Sequence, residues 1–266
     1  MKNFILNADD FGLSEYHNNA ILKGYEYGIL TSASIMVNEE KSFLNAIEII
    51  QKCPDLSIGI HLNIMEGKAL THCPLLADKN GNFNNSYLYL ILNQRNKNVI
   101  KQIEAEFREQ IEKAIRCGIK IEHLDSHVHT HAIPELFKIT LSLAKEYNIP
   151  YVRTQMEKPY FVFPKCFSIK FLINLIKVAL LNFFTAINRK NLAKYNLQTN
   201  DNIIGVCYTG MMDSKIISAG LKKYKNKTVE IVIHPCLYND NRENSHSKEF
   251  LITQDEILKA NFLNNI

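Results

Sequence analysis

Two rhythms of apolar and polar residues alternate along the chain, and together they predict a layered α/β protein. Short runs rich in β-branched and aromatic residues predict seven strands, at Lys2–Ala8, Ser34–Val37, Leu56–Leu62, Ile119–Asp125, Pro150–Arg153, Asn202–Cys207 and Thr228–Ile233. Between most of them apolar residues recur every three or four positions, as on one face of a helix. The clearest case is Val99–Arg116, where Ile103, Phe107, Ile111 and Ile115 repeat every four residues and Gly118 follows as a C-cap. Helices are also expected from Ser14, an N-cap, to about Gly28, and over Lys41–Lys52, Pro134–Tyr147 and Thr253–Leu263. Strands alternating with helices argue for a parallel sheet or barrel.

Two stretches break the rhythm. Residues Asn63 to Asn98 are polar and rich in Asn, Gly and Pro, and predict an irregular excursion of the functional kind. Phe167 to Ile187 is strongly apolar and helical, within an insertion covering 167–200. Asn174, Lys177 and Asn182 interrupt it short of the roughly 20 apolar residues a membrane span needs. No transmembrane span is therefore expected, and a buried, dimer-forming or substrate-covering helix is the better reading. No repeat or low-complexity linker divides the chain, so residues 1–266 are expected to form one domain.

Composition narrows the field. A hydrophobic share of 46% and a charged share of 22% describe an ordinary globular chain. The net charge of +4, read as not gathered into an arm or stripe, lends little support to nucleic-acid binding. The six cysteines form no CxxC pair, and Asp9 and Asp10 come too early for a secretory leader. Reduced thiols and a cytoplasmic location are expected.

The densest chemistry is His123-Leu124-Asp125-Ser126-His127-Val128-His129-Thr130-His131. On a continuous strand, His123, Asp125, His127, His129 and His131 would share one face. Imidazoles beside a carboxylate are the usual makings of a metal site, although a surface run of histidines is the bland alternative. Other polar residues also fall at strand ends: Asp9 and Asp10 after the first, His61 at the third, Arg153 at the fifth and His234 at the seventh. In an α/β barrel those ends converge on the face where active sites are built.

Each residue has a plainer reading. The aspartate pair could cap the first helix, His61 could be a hydrogen-bonded core histidine, Arg153 a salt-bridge partner and His234 a turn residue. Their conjunction favours function. One carboxylate with two imidazoles suits an open, hydrolytic divalent-metal site, in Zn, Mn, Fe or Co and less comfortably Mg. Adjacent aspartates on an extended backbone point apart, so one as ligand and one as base is a natural division. A histidine opposite could protonate a leaving group.

Four motifs, Asn7-Ala8-Asp9-Asp10-Phe11-Gly12-Leu13-Ser14, Gly59-Ile60-His61-Leu62-Asn63, His123 to His131, and Val232-Ile233-His234-Pro235, resemble in order those of the YdjC-type carbohydrate deacetylases. That family includes chito-oligosaccharide deacetylases and the HpnK-like proteins of hopanoid biosynthesis. The resemblance implies a distorted, TIM-like (β/α) barrel that removes N-acetyl groups from sugars with one divalent metal, usually Mg. It implies Asp10, His61 and His127 as metal ligands, with His123 and His129 as the alternatives to His127. It also implies Asp9 as general base and His234 as general acid, with Asp125, His129 and Arg153 behind the ligands or facing substrate. Family members are often homodimers.

The chain departs from the pattern where Cys236-Leu237-Tyr238 follows His234-Pro235, and in the hydrophobicity of 167–187. The second departure raises a lipid-linked sugar as substrate. Rival readings are a metal hydrolase of another bond, a non-catalytic metal-dependent sugar-binding protein, and metal storage by the histidine row.

Overall fold

The computed structural model describes residues 4–225, 227–237 and 248–259. Its strands are β1 (Phe4–Phe11), β2 (Ser32–Ile35), β3 (Ser57–Leu62), β4 (His123–Ser126), β5 (Tyr151–Val152), β6 (Asn202–Ile204) and β7 (Val229–Ile233). The helices are α1 (Glu15–Glu26), α2 (Glu40–Ile50), α3 (Tyr87–Asn93), α4 (Lys97–Arg116), α5 (Pro134–Glu146), α6 (Ile169–Leu192), α7 (Ser214–Lys223) and α8 (Lys248–Lys259). Every predicted strand is present within a few residues. Lys2 and the end of the last predicted helix, 260–263, lie outside the described residues.

All the ladders are parallel, in the order β5-β4-β3-β2-β1-β7-β6. Both faces of the sheet are covered: β2 and β7 are buried throughout, with Ser34 and Glu230 taken up in buried polar contacts. The sheet curls until its two edges meet. Val152 N–H donates to the Gln198 carbonyl at 3.0 Å and Ile203 N–H to the Met156 carbonyl at 2.9 Å. Between those bonds the Asn200 side chain stands in for a strand neighbour. It accepts from Thr154 N–H and donates to the Thr154 carbonyl, both at 2.7 Å. The result is the distorted, TIM-like (β/α) barrel that was expected, with seven strands among the described residues.

The long excursion is more ordered than its composition suggests. It contains α3, two short antiparallel bridges (Lys68 to Asn82, Ala77 to Phe83), and buried Ile64, Leu76, Phe83 and Leu90. Two polar residues on the inner face of α4 hold it down. Glu106, fully buried, accepts hydrogen bonds from Leu70 N–H, Thr71 N–H, the Thr71 hydroxyl and Gln110. Gln110 in turn clasps both backbone groups of Asn63, at 2.9 and 2.6 Å. A polar loop can thus cover the barrel because α4 satisfies its backbone.

Removing that carboxylate would leave several buried donors unpaired, so Glu106→Ala should lower the unfolding free energy by about 3 kcal/mol. The exposed neighbour Glu104, paired only at the surface with Arg108, should cost less than about 1 kcal/mol when replaced by Ala. Urea denaturation of the two variants checks the contrast.

Candidate metal and active site

The predicted residues reach one place because of a local irregularity in β1. Its pairing with β2 steps from Ala8–Ala33 to Phe11–Ile35, so three residues on β1 oppose two on β2. Asp10 takes up the extra residue at φ +66°. That bulge corrects the expectation that the two aspartates point apart. Asp10 Oδ1 lies 3.4 Å and Asp9 Oδ2 3.9 Å from His61 Nε2. The chain then turns through Gly12, at φ +84°, where a Cβ would sit 2.4 Å from the Met36 carbonyl oxygen. Ser14, not the aspartates, occupies the N-cap of α1.

The histidine row is also redirected. β4 ends at Ser126, and 127–132 form a tight turn with Val128 and His129 at φ +52° and +55°. The single shared face expected of a continuous strand therefore does not exist. Ser126 ties the turn by accepting from His131 N–H, and its hydroxyl meets His131 Nδ1. His131 is buried under the turn against the Arg153 carbonyl and Gln155. His123 faces the opposite end of the barrel beside Ser34, its ring fitting only because residue 59 is glycine. Of the row, His127 and His129 reach the cleft.

That cleft has a volume of about 450 Å3 and lies at the C-terminal ends of the strands. Asp9, Asp10, His61, His127, His129 and His234 line its floor, with Tyr87, Lys177, Leu180 and Val206 among its walls. Ligand-type atoms of Asp10, His61 and His127 lie within 4.8 Å of one another. His127 Nδ1 is 3.0 Å from Asp10 Oδ1, and its Nε2 is 3.3 Å from Glu66 Oε2. Glu66 was missed in the sequence because it sits in the polar excursion, four residues past a strand.

Behind this group lies a buried ion network. Arg153, fully buried, clamps both oxygens of Asp9, at 2.9 and 2.8 Å. It also reaches Asp125 at 2.6 Å and Glu230 at 2.6 Å. Asp125 receives His61 Nδ1 at 2.7 Å, leaving His61 Nε2 turned to Asp10 and the cleft. A carboxylate fixing the far nitrogen of a histidine is the usual support for an imidazole ligand. Asn7 and Ser34, also missed from the sequence, complete the shell by bonding Asp9 and Asp125.

The electrostatics follow from these contacts. Burial pushes the His61 imidazole down, but Asp9, Asp125 and Asp10 outweigh it and raise it to about 10. His127 is likewise lifted to about 9 by Asp10 and Glu66 against its burial. Burial raises Asp9, Asp10 and Asp125, yet Arg153 and the two histidines hold all three carboxyls below the usual range. His129 is the opposite case: burial and then Arg153 drive it down to about 3, and its buried Nδ1 has no hydrogen-bond partner. Three buried carboxyl groups thus share the single guanidinium of Arg153, a fourth, Asp10, faces the cleft, and two imidazoles are drawn toward the cationic form. Such an excess of negative potential, with two imidazoles and a carboxylate converging, fits a divalent cation.

Against this geometry, a profile of the YdjC-like protein family matches residues 3–263. The chain belongs to the YdjC-like family. Among its relatives is a carbohydrate deacetylase of Thermoanaerobacter pseudethanolicus, 28% identical over 277 aligned positions that cover 100% of this chain and 96% of the relative. A carbohydrate deacetylase of Clostridium beijerinckii is 32% identical and matches 83% of this chain and 86% of its own length. The Brevibacillus brevis carbohydrate deacetylase is 39% identical, but the match spans only 55% of this chain and 57% of that protein. A crystal structure of an Enterococcus faecalis protein assigned to cellobiose-phosphate cleavage superposes with a TM-score of 0.74. It covers 98% of this YdjC-like chain and 92% of its own at 22% identity, and bears on the fold.

One wall of the cleft depends on a further buried carboxyl group, that of Glu157. Glu157 accepts from Cys207 N–H at 2.7 Å and Gly205 N–H at 3.2 Å, which shapes the 205–207 turn beside the site. Burial outweighs those bonds and pushes Glu157 up to about 7. Its folded-state value therefore lies above the unfolded one, so the fold holds the proton and loses stability as pH rises between about 4.5 and 7. Relative to the parent chain, Glu157→Gln should gain about 3 kcal/mol across that window and show no further change above it. Denaturant unfolding of both chains at stepped pH checks the sign.

Proposed function

We propose that this YdjC-like protein is a metal-dependent carbohydrate deacetylase that hydrolyses the N-acetyl amide of an amino sugar, on an oligosaccharide or a lipid-linked glycan. One observation carries the reading. Asp10, His61 and His127 converge on the cleft floor, and Asp9, held ionised by Arg153, lies next to them in a second, deeper cluster with His61 and Asp125. Binding without chemistry needs no such second carboxylate. The names of the relatives point to the same reaction.

Asp10 Oδ1, His61 Nε2 and His127 would hold one divalent ion, with Mg the family expectation and Zn or another transition ion equally suited to two imidazoles. Bound there, the ion supplies Lewis acidity to the acetyl carbonyl and acidifies a water. Asp9 accepts the proton of the attacking water. Arg153 favours that role by position and opposes it by charge: it aims the carboxylate and keeps it ionised, but lowers its basicity. Water oxygen bonds to the acetyl carbon, the carbon–nitrogen bond breaks, and His234, across the floor, returns a proton to the departing amine. Acetate and the free amino sugar leave. Asp125 orients His61, and His129 lines the cleft where the substrate would lie. With six cysteines, none in a disulfide, we place the enzyme in the cytoplasm.

Acetate release from N-acetylated chito-oligosaccharides, before and after chelation and metal add-back, tests the reaction. Asp9→Asn should lower kcat by about 10²–10⁴-fold while one metal per chain is retained. His127→Ala should lose both turnover and stoichiometric metal, read by elemental analysis of the dialysed protein. Near-normal acetate release by Asp9→Asn would remove Asp9 as the base. Full metal binding by His127→Ala would remove His127 as a ligand.

A further inference from the structure

The side of α6 turned away from the barrel has no counterpart elsewhere among the described residues. Of the eighteen large apolar side chains exposed among the described residues, ten fall between 161 and 187. They are therefore a patch, not scatter. Phe161, Phe163 and Phe167 lead into it at 66%, 72% and 76% exposure, and Ile169 and Ile176 carry it along α6 at 77% and 73%.

The helix is apolar on both sides, with Phe171, Val178, Leu181, Phe184 and Leu192 packed inward. Its inward positions include Asn174, Thr185 and Asn188. Asn174 donates to the Cys207 and Thr209 carbonyls, Asn188 donates to the Ala132 carbonyl, and Thr185 accepts from Gln155 N–H. Three inward polar groups are spent on the barrel, and a second apolar face is presented outward. By length and composition α6 could cross a bilayer, but crossing would strip these amides of their partners.

Charge decides what the patch fits. Between residues 158 and 200 the chain carries seven basic residues (Lys158, Lys165, Lys170, Lys177, Arg189, Lys190 and Lys194) and no acidic one. The rest of the chain then holds 24 basic residues (31 less 7) against 27 acidic, a net charge of −3. The modest overall charge therefore conceals a strong local excess, which corrects the reading that it is not gathered. Lys158, Lys170, Lys177, Lys190 and Lys194 are all exposed. Two copies meeting through this face would oppose like charges with no carboxylate from 158 to 200 to relieve them. An anionic bilayer satisfies both features: apolar side chains enter the acyl boundary while lysines meet lipid phosphates.

We propose that α6 and the preceding Phe161–Phe167 segment form a docking surface for an anionic membrane, on which the protein lies without crossing it. Leu180 and Lys177 belong both to this helix and to the cleft wall, so docking sets the cleft mouth at head-group depth. On the deacetylase reading, to which this consequence is tied, the sugar reached there is one carried on a lipid.

Docking is tested without any sugar, so its failure and that of the deacetylase reading are read separately. The full chain is sedimented with phosphatidylcholine vesicles, with and without a large fraction of phosphatidylglycerol, and its oligomeric state is measured by size exclusion with light scattering. A monomer that pellets with the anionic vesicles at least about tenfold better than with the neutral ones, and less so at high salt, is the expected result. The double variant Phe167→Glu, Ile176→Glu should lose that binding, whereas Leu44→Glu, an exposed apolar site elsewhere, should keep it. Circular dichroism of both variants shows that they fold. No pelleting with anionic vesicles, or pelleting undiminished in the double variant, would overturn the proposal. So would a dimer that the double variant converts to monomer, which would assign the face to a second copy of the chain.

Discussion

A guanidinium with no access to water is the constraint around which this protein is arranged. Burying Arg153 is costly unless every donor finds an anion, and the fold supplies three, from three separate strands: Asp9 on β1, Asp125 on β4 and Glu230 on β7. Those strands are not neighbours except for β1 and β7, so the network ties the curled sheet across its interior. Tyr151 caps it by donating to Glu230 at 2.8 Å. The same pairing determines the chemistry above it. Asp125, held by Arg153 and Ser34, fixes His61, while Asp9 is held ionised at the edge of the cleft.

The cleft floor inherits an imbalance from this arrangement. Arg153 neutralises part of the carboxylate charge, and the remainder falls on Asp10, His61 and His127. In the absence of a cation, protons drawn onto the imidazoles make up the deficit, which is why both histidines titrate upward despite their burial. A divalent ion would take the place of those protons. Structure and binding chemistry here are one electrostatic problem, solved in layers from the barrel axis outward.

Substrate access is shaped by two insertions that the barrel itself does not need. The 63–98 excursion is fastened by Glu106 and Gln110 of α4 and contributes Glu66, beside His127, and Tyr87, on the cleft wall. The other insertion contributes α6, whose inward amides satisfy barrel backbone and whose outward face is apolar and cationic. One helix thus closes the cleft and faces whatever lies outside it.

Much of this was legible in the chain as written. Short apolar runs located the seven strands and helical periodicity most of the helices, because each buries one or both faces in a single core. The polar residues that interrupt those patterns at strand ends marked the site, since a parallel barrel brings those ends together. Three features were not legible. The extra residue at Asp10 and the left-handed turn at 128–129 depend on pairing partners distant in sequence, so an extended-strand assumption misplaced Asp9, His123 and His131. Glu66 carries no local signal, because its role comes from the loop being pressed against His127. The two faces of α6 are both apolar enough to read alike, and only packing chose which one the barrel took. Neighbouring residues alone carry local periodicity and strand-end position, and with them the elements, their order and the residue types at the cleft. Tertiary structure alone decided which of those side chains meet, which are buried in ion pairs and which surface is left exposed, because each depends on contacts between residues far apart along the chain.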